Sequence, residues 1–219
     1  MRIALIHALR HSPPPIEAAF ARAWPEAVLM NLLDDSLSAD LARQGALDQA
    51  MTERFLTLSR YAVGTGAQGI LFTCSAFGPC IDAVAAEQAG MPVLKPNEAM
   101  IDEAVAEARR LAPAGRRPRI GLLASFQPTL DTMPAEFPDD VEVVCQLATG
   151  SLAALDAGDA AEHDRLAGVA ARSLAKCDVV AVAQFSLARV APMVEATTAR
   201  PVFTTPDSAV RRLKALLAR

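Results

Sequence analysis

Apolar residues in this chain fall in short blocks, separated by longer stretches in which apolar and polar positions alternate with helical spacing. RIALIH (2–7) is a compact apolar run of the kind that fills a buried parallel strand. Pro13, Pro14 and Pro15 then open a helix with Ile16, Ala19, Phe20 and Ala23 on one face. AVLMNL (27–32) predicts a second strand, Ala46 to Val63 a long amphipathic helix, and 69–73 a third strand. A helix from Pro79 to Ala89 stops at Gly90 and leads to a short strand at 92–94. Proline at its start and glycine past its end follow the usual asymmetry of helix termini. A helix over 98–111 and the Pro/Gly/Arg segment APAGRRPR (112–119) follow.

The scheme then restarts. RIGLLA (119–124) predicts a strand, 128–135 a short helix, VEVVCQL (141–147) a strand and 160–175 a helix. DVVAVA (178–183) predicts a strand leading to a helical stretch, then comes strand PVF (201–203) and a terminal helix from about Pro206. Alternation of this kind argues for an α/β fold with parallel sheets. The restart is an internal repeat: RIALIH matches RIGLLA, GAQGILFTCSAF matches KCDVVAVAQFSL, and GMPVLKPNEAMIDEA matches ARPVFTTPDSAVRRL. Two pseudo-symmetric lobes are expected, each a parallel sheet flanked by helices. The first covers 1–97 and is completed by the C-terminal helix 206–219; the second covers 98–205. A ligand site is expected in the crevice between them, at the carboxyl ends of both sheets.

Composition narrows the function. The net charge is −4 and the 21 Lys and Arg residues are scattered, so there is no basic footprint for nucleic acid. No apolar run reaches the length of a membrane span, and the start reads as a first strand rather than a signal peptide. Cys74, Cys80, Cys145 and Cys177 form no C-x-x-C pair and do not cluster with histidine. Reduced thiols in a cytoplasm are expected, and no metal site. GTGAQG (64–69) has the spacing of a dinucleotide fingerprint but follows a helix and precedes a strand, the reverse of the order that fingerprint needs.

The chemistry concentrates in GILFTCSAFGPC (69–80), where a buried strand stops, a helix is about to begin, and a thiol sits between. N–H groups and the dipole at a helix start favour thiolate, so the pKa of Cys74 is expected below the ordinary ~8.5. The same N–H groups, with the Thr73 and Ser75 hydroxyls, are placed to hold a carboxylate. The structural alternative is a small residue filling a gap in the core.

FTCSAFG after an apolar strand, the two-lobe repeat, PVLKPNEAM, RIGLLAS, DAGDAAEHD and RPVFTTPDSAV together resemble the aspartate/glutamate/hydantoin racemase superfamily across nearly the whole chain. The resemblance implies two α/β lobes and cofactor-independent chemistry at the carbon beside a carboxylate. It implies a small carboxylate or amino-acid-like substrate, with Cys74 as proton carrier. Racemases of the family carry one cysteine per lobe. Here the second lobe departs from the pattern: aligning on Gln68 and Asp178 sets Cys74 opposite Gln184, while aligning on Pro92 and Pro201 sets it opposite Ala183. An amide cannot act as a general base near neutral pH. Cys177 precedes its strand and is expected roughly 20 Å from the crevice. One-thiol chemistry therefore competes with racemisation. The alternatives are a decarboxylase of malonate-type acids, as in arylmalonate decarboxylase, a maleate-type cis–trans isomerase, and a non-enzymatic binding protein for a small carboxylate. A homo-oligomer is compatible with each.

Around Cys74, the expected substrate-binding residues are Thr73, Ser75, Ala76 and His7 from the first lobe, with Ser125, Gln184, Phe185 and Ser186 from the second. His7 ends the first strand and is a candidate base or orienter; a hydrogen-bonded strand-end histidine is the plainer reading. His11, Ser12 and Thr129 are weaker candidates. Lys95 is either a carboxylate partner or half of a solvated pair with Glu98. His163 is expected at the surface, and Cys80 and Cys145 in the packing.

Overall fold

The computed structural model describes residues 1–218. They form two compact units, Met1–Pro96 with the chain from Pro206 onward, and Asn97–Thr205. The first unit contains β1 (Arg2–His7), α1 (Pro13–Ala23), β2 (Val28–Leu33), α2 (Ser36–Gln44), α3 (Gln49–Gly64), β3 (Gly69–Phe72), α4 (Gly78–Glu87) and β4 (Val93–Leu94). The second contains α5 (Glu98–Leu111), β5 (Arg119–Ala124), α6 (Gln127–Thr132), β6 (Glu142–Leu147), α7 (Ser151–Asp156), α8 (Ala160–Ala171), β7 (Val179–Val182), α9 (Ala191–Thr198) and β8 (Val202–Thr204). A final helix, α10 (Thr205–Leu217), returns to the first unit.

The first sheet has the order β2-β1-β3-β4, all parallel. The chain leaves β1 towards β2 on one side, then crosses back to lay β3 on the other. Connections therefore diverge at the carboxyl ends of β1 and β3, where an open parallel sheet leaves a crevice for a ligand. The central strand β3 is enclosed at every position, which explains its unbroken apolar run. A Cβ at Gly69 would lie 3.2 Å from the tips of Leu213 and Leu217, so the glycine lets α10 rest against β3. On α3, Phe55 stacks on Phe72 with ring centroids 5.3 Å apart and meets Phe77 at 5.0 Å, fixing both ends of the segment that carries Cys74.

The second sheet repeats the order as β6-β5-β7-β8, again all parallel. Its two faces are read directly from the period-two alternation. Val179, Ala181 and Ala183 join Ile120, Leu122 and Ala124 in one apolar cluster, while Val180 and Val182 join Leu123 in the other. Gly121 is required by close packing, because a Cβ there would sit 3.0 Å from the Leu174 Cβ.

Several expectations are corrected. The helix expected from Ala46 starts at Gln49, where the Asp48 carboxylate accepts the Met51 N–H at 2.7 Å. A separate helix, α2, precedes it and ends at Gly45, whose φ of 74° is the left-handed cap that glycine favours. The helix expected over 128–135 is α6 followed by a 3₁₀ turn, Met133–Glu136, and the one expected over 160–175 is α8 followed by another, Arg172–Leu174. His163 is fully buried instead of at the surface. The unanticipated α7 covers it: His163 Nδ1 lies 3.0 Å from the Ser151 carbonyl oxygen, and the Ser151 hydroxyl donates to the His163 carbonyl at 3.1 Å. Cys145, on the edge strand β6, is exposed rather than packed.

Candidate active site

Cys74 stands two residues past the end of β3. The Thr73 N–H donates to the Ile6 carbonyl at 3.0 Å, continuing the β1 ladder one step beyond the strand. Cys74 itself is extended (φ −123°, ψ 120°), and the chain then tightens into the 3₁₀ turn Ser75–Phe77 before α4, with Pro79 in its first turn. The thiol therefore lies at the carboxyl edge of the β1–β3 pair. Ser75, Ala76 and Phe77 are enclosed around it, and Cys74 is 7% exposed.

The expected depression of its pKa does not occur. Burial pushes the thiol up from the usual 9.0 to about 11, outweighing the Ala76 N–H and the Ser38 hydroxyl, which favour the thiolate. Two structural reasons account for this. The N–H next to the sulfur belongs to a three-residue 3₁₀ turn, and α4, with its aligned peptides, begins only at Gly78. The Ser38 hydroxyl, in turn, donates to the Ala8 carbonyl at 2.9 Å. Cys74 thus holds its proton at neutral pH and is equipped as an acid.

Behind Thr73 runs a chain of hydrogen bonds. Asn31 Nδ2 donates to Glu17 Oε1 at 2.7 Å, which turns the Asn31 oxygen towards His7 Nε2 at 2.9 Å. Nε2 must then carry the ring proton, because an amide oxygen only accepts. In the neutral ring Nδ1 is left as an acceptor, and it receives the Thr73 hydroxyl at 2.7 Å. Burial lowers the His7 pKa, against smaller opposing effects of the Asn31 bond and the Glu17 charge, and so keeps the ring neutral. His7 is wholly enclosed, with both ring nitrogens engaged by Asn31 and Thr73.

The second unit repeats the backbone design with different chemistry. The ladder pairs Ile6 with Phe72 and Leu123 with Val182, so Cys74 corresponds to Gln184; the alternative match to Ala183 is excluded. Gln184 is likewise extended (φ −138°, ψ 143°) and likewise precedes a 3₁₀ turn, Phe185–Val190, and then α9. Its amide oxygen accepts the Ser125 N–H and the Ser125 hydroxyl, the latter at 3.1 Å. A backbone N–H can bond only the oxygen, so the amide's orientation is fixed and its NH₂ turns away from Ser125. Ser125 and Gln184 are thus brought together. Ser186 is buried beside them in sequence, with a hydroxyl that has no partner. Phe185, expected at the substrate, is 1% exposed and packs inward, as does Ala76 in the first unit.

The remaining candidates fall elsewhere. Lys95 pairs with Asp82 at 2.7 Å. Cys80 is buried, with its sulfur 3.6 Å from the Thr52 hydroxyl. Thr129 and Ser12 are buried. Among the described residues, no group of three or more His, Cys, Asp or Glu side chains is placed to hold a metal ion. Among the described residues, no helix is long and apolar enough to cross a membrane.

No protein-family model matches the sequence, and no curated protein matches it. Solved structures do. A glutamate racemase isoform from Bacillus anthracis superimposes with a TM-score of 0.73 at 10% identity, over 99% of this chain and 81% of that one. The chain has the racemase fold. An allantoin racemase from Klebsiella pneumoniae gives 0.71 at 15% identity, over 100% of this chain and 88% of that one. A glycine-to-cysteine variant of arylmalonate decarboxylase gives 0.62 at 17% identity, over 100% and 94%. The racemase fold thus spans the chain, at identities that leave the reaction to be argued from the residues.

Sequence reasoning missed Ser38, Asn31 and Glu17. Ser38 lies on the unanticipated α2, and Asn31 sits on β2 as the one polar residue in an apolar run. That interruption was the available signal.

Proposed function

We propose that this protein is a cofactor-independent enzyme that transfers a proton at the carbon beside a carboxylate of a small carboxylate or amino-acid-like substrate, with Cys74 delivering the proton. The observation that carries this reading is a buried, protonated thiol at the carboxyl edge of β1 and β3, matched in the second sheet by an amide with no titratable group. Ser75, beside the sulfur, carries a neutral hydroxyl suited to a carboxylate oxygen, whereas the Thr73 hydroxyl gives its one proton to His7 Nδ1. His7, held in one tautomer by Asn31, orients the Thr73 hydroxyl.

A single acid favours protonation of a carbanion from one face. Racemisation needs a base on one face and an acid on the other, and Gln184 supplies neither. A maleate-type route needs the thiolate as nucleophile, which burial disfavours here. Decarboxylation of a malonate-type acid fits best among the finer readings. The bond from the central carbon to one carboxylate breaks, its electron pair enters an enediolate, and carbon dioxide leaves. The Cys74 proton then moves to the carbon, and the thiolate recovers a proton from water.

The test is a screen of 2-substituted malonates and 2-substituted carboxylates in deuterated solvent, following carbon dioxide, deuterium incorporation and chirality. Labelling of one face is expected, with turnover reduced by about 10²-fold or more in Cys74→Ser, because a serine hydroxyl is a far weaker acid than a thiol. Wild-type turnover in Cys74→Ser would remove the thiol from the mechanism.

A further inference from the structure

At the other end of the second sheet, the loops entering β5, β7 and β8 and the end of α5 flank an open depression of about 390 Å³, lined by Leu111, Pro113, Arg116, Arg119, Lys176, Cys177, Asp178 and Arg200. Four cations around one concavity are unusual in a chain whose net charge is −4. Two of them are answered locally. Arg116 pairs with Asp178, whose second oxygen accepts the Arg119 N–H at 2.8 Å, and the Arg119 guanidinium reaches Glu142 at 3.0 Å. Lys176 and Arg200 form no ion pair with a carboxylate among the described residues, although Asp178 lines the same depression. Arg200 is nevertheless held in place, because its Nε donates to the Ala175 carbonyl at 3.0 Å. The Arg119 Nε is buried with no partner.

We infer that this depression binds a small phosphorylated molecule, its phosphate between Lys176 and Arg200 and its organic part against Leu111 and Pro113. Lysine supplies a compact point charge and arginine a planar fork, a pairing suited to phosphate oxygens. A depression of about 390 Å³ exceeds what an inorganic anion fills and falls in the range of small-metabolite sites. The site is separate from Gln184 and Ser125: the extended run from Asp178 through β7 to Gln184 sets about 20 Å between the two ends. It is therefore a second, non-catalytic site in that unit.

The probe is inorganic pyrophosphate, titrated calorimetrically into the full chain at physiological ionic strength. One saturable site per chain is expected, weakened about tenfold or more in Lys176→Glu, which reverses a charge on an exposed side chain that bonds nothing else among the described residues. Arg200→Gln is expected to weaken binding as well, and a thermal melt checks that each variant is folded. Succinate, a dicarboxylate of similar span, is expected to bind more weakly than pyrophosphate. The inference is overturned by no saturable binding up to about 10 mM, by wild-type affinity in Lys176→Glu, or by succinate binding as tightly as pyrophosphate.

Discussion

Cys74 and Cys145 invert the usual relation between a thiol's interest and its availability. Cys145 is exposed and Cys74 is enclosed, with burial holding its proton to about pH 11. Alkylation by iodoacetamide, mapped by mass spectrometry, should therefore modify Cys145 first at neutral pH. Cys74 should react slowly, its rate climbing with pH towards about 11; rapid modification of Cys74 near pH 7 would show that the thiolate is the resting form. The position of Cys74 was legible in the sequence because a strand end, a turn and a thiol coincide within a few residues. Its protonation state was not. Whether burial or a helix terminus governs a pKa depends on how tightly Ser75–Phe77 winds and on what Ser38 bonds, and neither has a spacing signature. The relay through Glu17, Asn31 and His7 was hidden for a related reason, since it joins three elements that only the sheet order brings together.

At the scale of elements, the strands were readable to within a residue because central parallel strands are continuous apolar runs: 119–124 was expected and Arg119–Ala124 is observed. Short helices were the ones missed. In α2 only Leu37 and Leu41 among the apolar residues face inward, too few to establish a helical period. The 3₁₀ turns that end α6 and α8 likewise carry no period that separates them from the helix before. The crowding at Gly121 is an element-level constraint, since β5 can lie under Leu174 only without a side chain there. Gly121→Ala should cost about 1–3 kcal/mol, as overpacking of a close-fitted core does. Denaturant unfolding measures it, and a loss below about 0.5 kcal/mol would mean that Leu174 moves aside freely.

For the whole molecule, His7 and Cys74 set opposite limits on stability against pH. The folded-state pKa of His7 lies below 6.5, so between that value and 6.5 the unfolded chain binds more protons than the folded one. The stability due to keeping His7 neutral is complete above about pH 6.5 and is lost as pH falls through the folded pKa. Cys74 behaves oppositely. Its pKa rises from 9.0 unfolded to about 11 folded, so its contribution is complete below pH 9 and declines between the two values. Equilibrium unfolding across pH should show both slopes, the acid one reduced in His7→Gln and the alkaline one in Cys74→Ser. Slopes unchanged in both variants would place the titrating groups elsewhere.

The return of α10 to β3 gives the two units different histories during synthesis. A ribosome makes all of Asn97–Thr205 in one stretch, and that unit has its complete sequence as soon as the stretch has emerged. The first unit, begun earlier, must wait for Leu213 and Leu217 to cover the strand at Gly69. The usual order, in which the amino-terminal part of a chain folds first, is therefore reversed at the last step: the half that carries Cys74 is the half that is finished last.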